Sequence, residues 1–413
     1  MFDRVIRNTS RVHTLEDAEG IAQGAIGLVG DRVAWVGPES GLPQDRIGPE
    51  TVVHDAQGGF VGPGFVDPHT HVVFAGDRSR EFEQRASGAS YLEIAREGGG
   101  IANTMKAVRA ASEAQLVELA LPRLERMCSF GITTAEAKSG YGLNLEDELK
   151  MLRAIRTLNG MQPITLVPSL LCAHAIPPEY ADRREAYVEL CVKEIIPAAA
   201  AENLAVFCDV FIEQGAFTLE EGRRILEAGL AHGLTPRLHA DQMSQAGASR
   251  LAAELKASSA DHLEHIDAGG MRAMAEAGVV AILVPASTLF LRQTPAAPGR
   301  ALIEAGVELA LGTNVNPGSA MSENLALTLG LACLLNGLTA FEAYRAATLG
   351  AAKALRQEAL GRIRQDGPAD LVIFSCPDVT HLPYHLGINH VSEVFKGGRP
   401  VHRAPEGTGC RAA

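Results

Sequence analysis

The sequence predicts an α/β protein: a TIM-like (β/α)8 barrel joined to a small β-sandwich domain that both chain ends build. Two patterns predict it. Eight short apolar runs recur through the middle of the chain, and most are followed by a segment of helical periodicity. The two ends instead read as short strands broken by turn residues. With 413 residues, 46% of them hydrophobic, the chain can bury one large core and a second, small one.

In chain order, the first strands are Ala25–Val29, Arg32–Val36 and Thr51–Val53, separated by the turn pairs Gly30-Asp31 and Gly37-Pro38. The barrel strands follow: Phe65–Asp67, Ile132–Ala137, Ile164–Leu171, Val206–Ile212, Pro236–Leu238, Ser259–His262, Val279–Val284 and Glu308–Gly312. Helices are predicted over Glu113–Cys128, Leu145–Leu158, Leu219–Ala231, Gly247–Leu255 and Ser322–Leu335, where apolar residues return every three to four positions. Asp370–Phe374, Val391–Phe395 and, after a Gly397-Gly398 turn, Pro400-Val401 complete the end domain. The division expected is residues 1–64 with 366–413 for the β domain and 65–365 for the barrel. A doubly wound open sheet is the alternative. A dinucleotide-binding sheet would place Gly-x-Gly-x-x-Gly after its first strand, and none is there. Gly98-Gly-Gly100 follows no strand and precedes no Lys-Ser/Thr, so it is read as a mobile loop and not as a phosphate cradle.

Composition narrows the partners. A net charge of −12 with no basic cluster argues against nucleic acid. No run approaches the ~20 apolar residues of a membrane span, and the start of the chain lacks the pattern of a signal peptide. Seven scattered cysteines without a Cys-x-x-Cys fit buried thiols in a reducing cytoplasm.

If the strand assignments hold, isolated polar residues fall just after strand ends, on the face where barrel enzymes place their chemistry. His69 and His71 follow the first strand, and two positions apart on extended chain they share one side. Lys138, Ser139 and Tyr141 follow the second strand, His174 the third and Glu213 the fourth. His239, Asp241 and Gln242 follow the fifth, His262 and His265 end the sixth, and Asn314 and Asn316 follow the eighth. His69, His71 and His239 supply three nitrogens for one divalent metal, zinc or iron. Position 314, beside the first strand in a closed barrel, is the candidate fourth ligand. His262 is placed to orient or deprotonate a water. The chemistry is metal-assisted hydrolysis, in which the ion polarises a carbonyl and lowers the water pKa toward ~7.

Longer motifs sharpen this. Asp67-Pro-His-Thr-His-Val-Val-Phe-Ala-Gly-Asp-Arg, Ala137-Lys-Ser-Gly-Tyr-Gly-Leu, Leu170-Leu-Cys-Ala-His-Ala, Ser259-Ala-Asp-His-Leu-Glu-His and Asn316-Pro-Gly-Ser resemble the imidazolonepropionase family of the amidohydrolase superfamily. The resemblance covers nearly the whole chain. It implies hydrolysis of the ring amide of 4-imidazolone-5-propanoate to N-formimidoyl-L-glutamate in histidine degradation, by a cytoplasmic enzyme, with a homodimer possible. It implies His69, His71 and His239 as metal ligands, and Arg78, Tyr91, Tyr141, His174 and Gln242 around the substrate. Asn316, Gly318 and Ser319 correspond to the loop lining the product side. Arg78 can fork onto the propionate or, alternatively, pair with Glu81 or Glu83. The lysine matching Lys138 does not bridge metals in that family, which favours one metal per chain.

Two positions depart from the family pattern. Asn314 stands where Asp is usual, and Gln242 where Glu is frequent. In the family the matching Asp touches the metal and shuttles the proton. Asn can lend an oxygen but has no useful basicity, and losing a general base typically costs on the order of 10²–10⁴ in rate. His262 can partly take over. Three readings stay open: a working enzyme with a modified proton path, a catalytically impaired metal- and ligand-binding variant, or a related amidohydrolase acting on another small cyclic amide or amidine.

Overall fold

The computed structural model describes residues 1–88 and 99–405. Eight strands form one parallel sheet in the order of the chain. They are Phe65–Asp67, Ile132–Lys138, Thr165–Ala173, Phe207–Ile212, Thr235–Ala240, Ser259–His262, Val280–Leu283 and Leu309–Leu311. The sheet curls so that its first and last strands meet. Beyond their ends, the Asn314 N–H donates to the His69 carbonyl (2.9 Å) and the His71 N–H to the Val315 carbonyl (3.0 Å). Asp67, fully buried, ties the same seam by accepting from the Thr313 N–H at 3.1 Å and its hydroxyl at 2.5 Å. The fold class is the predicted barrel.

The connecting helices are built where periodicity placed them: Glu113–Ser129, Leu145–Asn159, Leu219–Ala231, Ala248–Glu254 and Leu325–Leu335. Their starts are capped. Ser112 and Thr218 each close a reciprocal capping box, and Asn144 accepts from the Asp147 N–H. Between barrel and helices lies the main core, whose buried residues are drawn from along the chain, from Leu15 to Val394. Inside the barrel, Val66, Val167, Phe207, Val280, Ile282 and Ala310 pack on Ala351, Ala354 and Leu355. The hydroxyl of Ser258, just before the sixth strand, donates to the Ala354 carbonyl. This plugs the end where strands begin and leaves the opposite mouth open.

The chain ends form two further sheets. Arg4–Arg7, Gly24–Val29, Arg32–Pro38 and Val52–Asp55 make a four-stranded one. Phe60–Pro63, Leu371–Phe374, Val391–Lys396 and Arg399–Arg403, with Arg11–Val12 and Ile21–Ala22, make a six-stranded one from both termini. Ile6, Ile26, Leu28 and Val33 of the first pack with Val61, Leu371, Ile373 and Phe395 of the second. Strand bounds differ from expectation mainly in the fifth barrel strand, which runs two residues past Leu238, to Ala240, and so contains His239. Tyr91 and the Gly98-Gly99 part of the predicted glycine loop involve positions outside or at the edge of the described residues, with Tyr91 and Gly98 not described.

Candidate active site

Four buried histidines meet where the strands end. The ring centroid of His69 lies 5.4 Å from His71, 4.7 Å from His239 and 5.5 Å from His262. His174 stacks on His71 at 5.2 Å. Among the described residues, the ligand atoms of His69, His239 and His262 all lie within 4.8 Å of one another. By ring centroids the expected His69, His71 and His239 set is about as close, with His71 5.5 Å from His239 and His262 5.3 Å from it.

Carboxylates fix how two of these rings face. His69 Nδ1 lies 2.6 Å from Asp261 Oδ2, and His239 Nδ1 lies 3.2 Å from Asp209 Oδ1. An ionised carboxylate only accepts, so each Nδ1 carries the hydrogen and each Nε2 keeps a lone pair. Both Nε2 atoms are buried without a protein partner, as are His71 Nδ1 and His262 Nδ1. Burial, then the charge of Lys138, holds His69 well below the ordinary histidine pKa. Burial, then His174, does the same to His71. Burial also lowers His239, against the pull of Asp209. Neutral imidazoles with unpartnered lone pairs are what a divalent ion requires, so the donor set fits a metal.

Beneath the histidines lies a fully buried charge cluster. Lys138 Nζ lies 2.9 Å from Glu136 and 2.6 Å from Asp209. Arg237 lies 2.7 Å from Glu136 and 3.2 Å from Asp261, and donates to the Pro68 carbonyl at 2.7 Å. Ser259 donates to Asp261 at 2.6 Å. Burial pushes the Asp209 carboxyl up, but Lys138 and then His239 override it and hold it well below the carboxylate range. Three carboxylates against two cations leave one net negative charge under the histidines, suited to a cation above. Lys138 is committed to these partners.

Above the histidines opens a cavity of about 580 Å³. Its walls include His71, Arg78, Tyr141, His174, His239, Gln242, His262, Asn314, Asn316, Gly318 and Ser319. The cavity thus gathers the expected site residues except His69, which sits deeper, and Tyr91, which lies outside the described residues. Arg78 does pair with Glu81, at 2.7 Å, yet also faces the cavity. His174 Nδ1 lies 3.0 Å from the Gly140 carbonyl, which fixes the hydrogen there and presents Nε2 as an acceptor. Burial, then His239, holds His174 at a pKa of about 3, so it is neutral. Burial raises the Tyr141 hydroxyl above its ordinary pKa despite Arg78, keeping it a donor. The Asn316 side chain organises its own loop. It donates to Asn314 Oδ1 (3.0 Å) and Ser319 Oγ (2.8 Å) and accepts from the Gly318 and Ser319 N–H groups, both at 2.8 Å. His262 (φ 80°), Asn314 (φ 54°) and Asp241 (φ 48°) adopt the left-handed region without being glycine. Such strain gathers at functional sites.

Other strand-end residues serve structure. Glu213 accepts from the Met243 N–H at 2.7 Å, and Asp241 accepts from the Ala248 N–H at 3.1 Å. Residues that sequence reasoning missed are Glu148, Arg123, Arg85 and Phe211. Glu148, buried, accepts from the Gly142 and Leu143 N–H groups at 2.8 and 2.9 Å and so fixes the Tyr141 turn. Arg123 donates to the Val72 and Phe74 carbonyls, both at 3.0 Å, and fixes the chain after His71. Arg85 and Phe211 line the cavity.

The sequence profile of the Amidohydrolase family matches residues 75–402. The imidazolonepropionase of Myxococcus xanthus is 60% identical over 408 residues, covering 97% of this chain and 97% of that protein. That of Anaeromyxobacter dehalogenans is 51% identical over 391 residues, covering 94% of this chain and 93% of that protein. Klebsiella pneumoniae 5-methylcytosine deaminase, liganded with phosphonocytosine, superposes with a TM-score of 0.76 at 16% identity, covering 97% of this chain and 98% of that one. This last likeness is one of fold alone.

Proposed function

Because the chain belongs to the amidohydrolase family and, within it, to the imidazolonepropionases, we propose that the barrel mouth hydrolyses the ring amide of 4-imidazolone-5-propanoate to N-formimidoyl-L-glutamate. The reaction belongs to histidine degradation. The observation that carries the site assignment is the pair of buried Nε2 atoms on His69 and His239, each set by a carboxylate at Nδ1.

His69, His71 and His239, with the Asn314 side-chain oxygen, would hold one divalent ion, zinc or iron, which would supply Lewis acidity and make water easier to deprotonate near neutral pH. The chain's own groups do the rest. Arg78 binds the propionate by a charge-assisted fork. The Tyr141 hydroxyl donates to the substrate and His174 Nε2 accepts from a ring N–H. Gln242 offers one acceptor and two donors to the ring. His262 takes the proton from water and returns it to the leaving ring nitrogen. Asn316 holds Gly318 and Ser319 against the ligand.

Asn314 favours a second reading, a chain that binds metal and ligand but turns over poorly, because an amide cannot shuttle a proton. Following the loss of ring absorbance on the parent and on Asn314→Asp separates the two. The parent is expected to consume the substrate and Asn314→Asp to raise turnover. Activity confined to Asn314→Asp supports the impaired variant, and no turnover by either removes the assignment.

A cytoplasmic location and a homodimer belong to the same reading. The six described cysteines form no disulfide with one another, which fits a reducing compartment. The division into residues 1–64 with 366–413 and residues 65–365 is part of the reading too, supported by the pairing of Phe60–Pro63 with Leu371–Phe374.

A further inference from the structure

A second guanidinium reaches the cavity beside Arg78. Arg78 immediately precedes the helix Ser79–Ala86, and Arg85 lies on it seven positions later, two turns along the same face. Both line the cavity. They converge on Gly318. Arg85 Nη1 donates to the Gly318 carbonyl at 3.0 Å, and a Cβ on Gly318 would come within 2.2 Å of Arg78 Nη1. Phe290 lies beneath the Arg85 guanidinium, its ring centroid 5.3 Å from Cζ, and restricts its swing.

The charge around them is unbalanced. Glu81 accepts from Arg78 Nε at 2.7 Å and is further occupied by the Gly100 N–H at 3.1 Å. Among the described residues, no aspartate or glutamate lines the cavity. Arg85 Nε is buried and has no hydrogen-bond partner among the described residues. Partial burial, then the charge of Arg78, lowers the pKa of Arg85, and Glu81 offsets this only in part. Among the described residues, two guanidiniums and one carboxylate leave a net positive charge at the rim. A monoanion in the cavity would balance it.

We infer that Arg85 is a second carboxylate-binding residue, which with Arg78 makes a two-arginine clamp selecting substrates that bear an anionic carboxylate on a short chain. This rests on the proposed function, which supplies the propionate. The competing role for Arg85 is to hold the Gly318 loop. That role would support every ligand of the cavity equally, whether charged or not.

The test is a cycle of two ligands and two proteins. The ligands are 3-(imidazol-4-yl)propanoate and its primary amide, which share a ring without a hydrolysable amide and differ only in charge at the chain end. Dissociation constants are measured by calorimetry on the metal-loaded parent and on Arg85→Gln. Loss of a charged hydrogen-bond partner is expected to weaken the acid by about 10- to 100-fold and the amide by less than about 3-fold. Arg85→Lys, which keeps the charge and loses the fork, is expected to fall between parent and Arg85→Gln for the acid, and keeps the test usable if the glutamine variant does not fold. Equal weakening of acid and amide, or no weakening of either, overturns the clamp. Arg78→Gln locates the failure. Acid-selective loss there but not at Arg85 leaves the proposed function standing and removes only Arg85. A parent that does not prefer the acid removes the propionate pocket itself.

Discussion

At the floor of the cavity each charge is buried and has opposite charges against it: Lys138 and Arg237 stand among Glu136, Asp209 and Asp261, all without exposed side-chain surface. At the rim, Arg78 and Arg85 reach the open cavity, with Glu81 paired to Arg78. The floor has its partners within the fold, and its residues set the directions of His69 and His239. At the rim, the described residues leave positive charge for an entering anion to balance. The contrast separates two tasks, holding a cation below and recognising an anion above. It also places Asn314 and His262 between them, where protons move.

The largest expected effect tests that middle layer. His262→Ala should retain metal and lose about 10²–10⁴ in kcat, whereas His71→Ala should lose metal as well. Metal content and turnover measured together check it. The reverse pattern would exchange the roles of the two histidines, as the tight His69, His239 and His262 triangle permits.

Next in size is the floor. Lys138→Met leaves Asp209 and Glu136 without a cation they both need, and breaking a buried ion pair from one side costs about 3–5 kcal/mol. The urea midpoint should fall accordingly. An unchanged midpoint would mean that the cluster protonates in place of staying charged.

The smallest effect lies away from both regions and serves as a control. Arg300, opposed by partial burial and helped by the Thr339 N–H, holds the Glu342 carboxyl at about 2, below its ordinary 4.5. A depressed carboxyl pKa adds stability that is complete above 4.5 and fades as pH falls toward 2. The stability difference between the parent and Glu342→Gln should therefore be present at neutral pH and vanish in acid, with turnover at neutral pH unchanged. Solvent screening keeps the difference small.

Much of this arrangement was legible in the sequence because its signals are local. His69 and His71 are two residues apart, and the eight apolar runs announce the barrel without any tertiary information. The floor was not legible in the same way. Asp261 and His69 are 192 positions apart, and Lys138 and Asp209 are 71 apart, so their pairing exists only once the strands are side by side. The apolar run Pro236–Leu238 puts His239 just after its strand, yet parallel neighbours on both sides extend that strand to Ala240. Arg85 reads in sequence as one more charge on a polar helix; only the approach of the Gly318 loop turns it inward. The strands Arg11–Val12 and Ile21–Ala22 are too short to give a period at all.

The central claim is that the floor holds one metal on which turnover depends. Chelator-stripped parent, reconstituted stepwise with zinc or iron(II), is assayed for imidazolonepropionate hydrolysis, and bound metal is measured on the same samples. Activity is expected to be absent without metal and to rise in proportion to occupancy, levelling at about one ion per chain. Equal turnover by the stripped protein, or no binding of either metal, would contradict it.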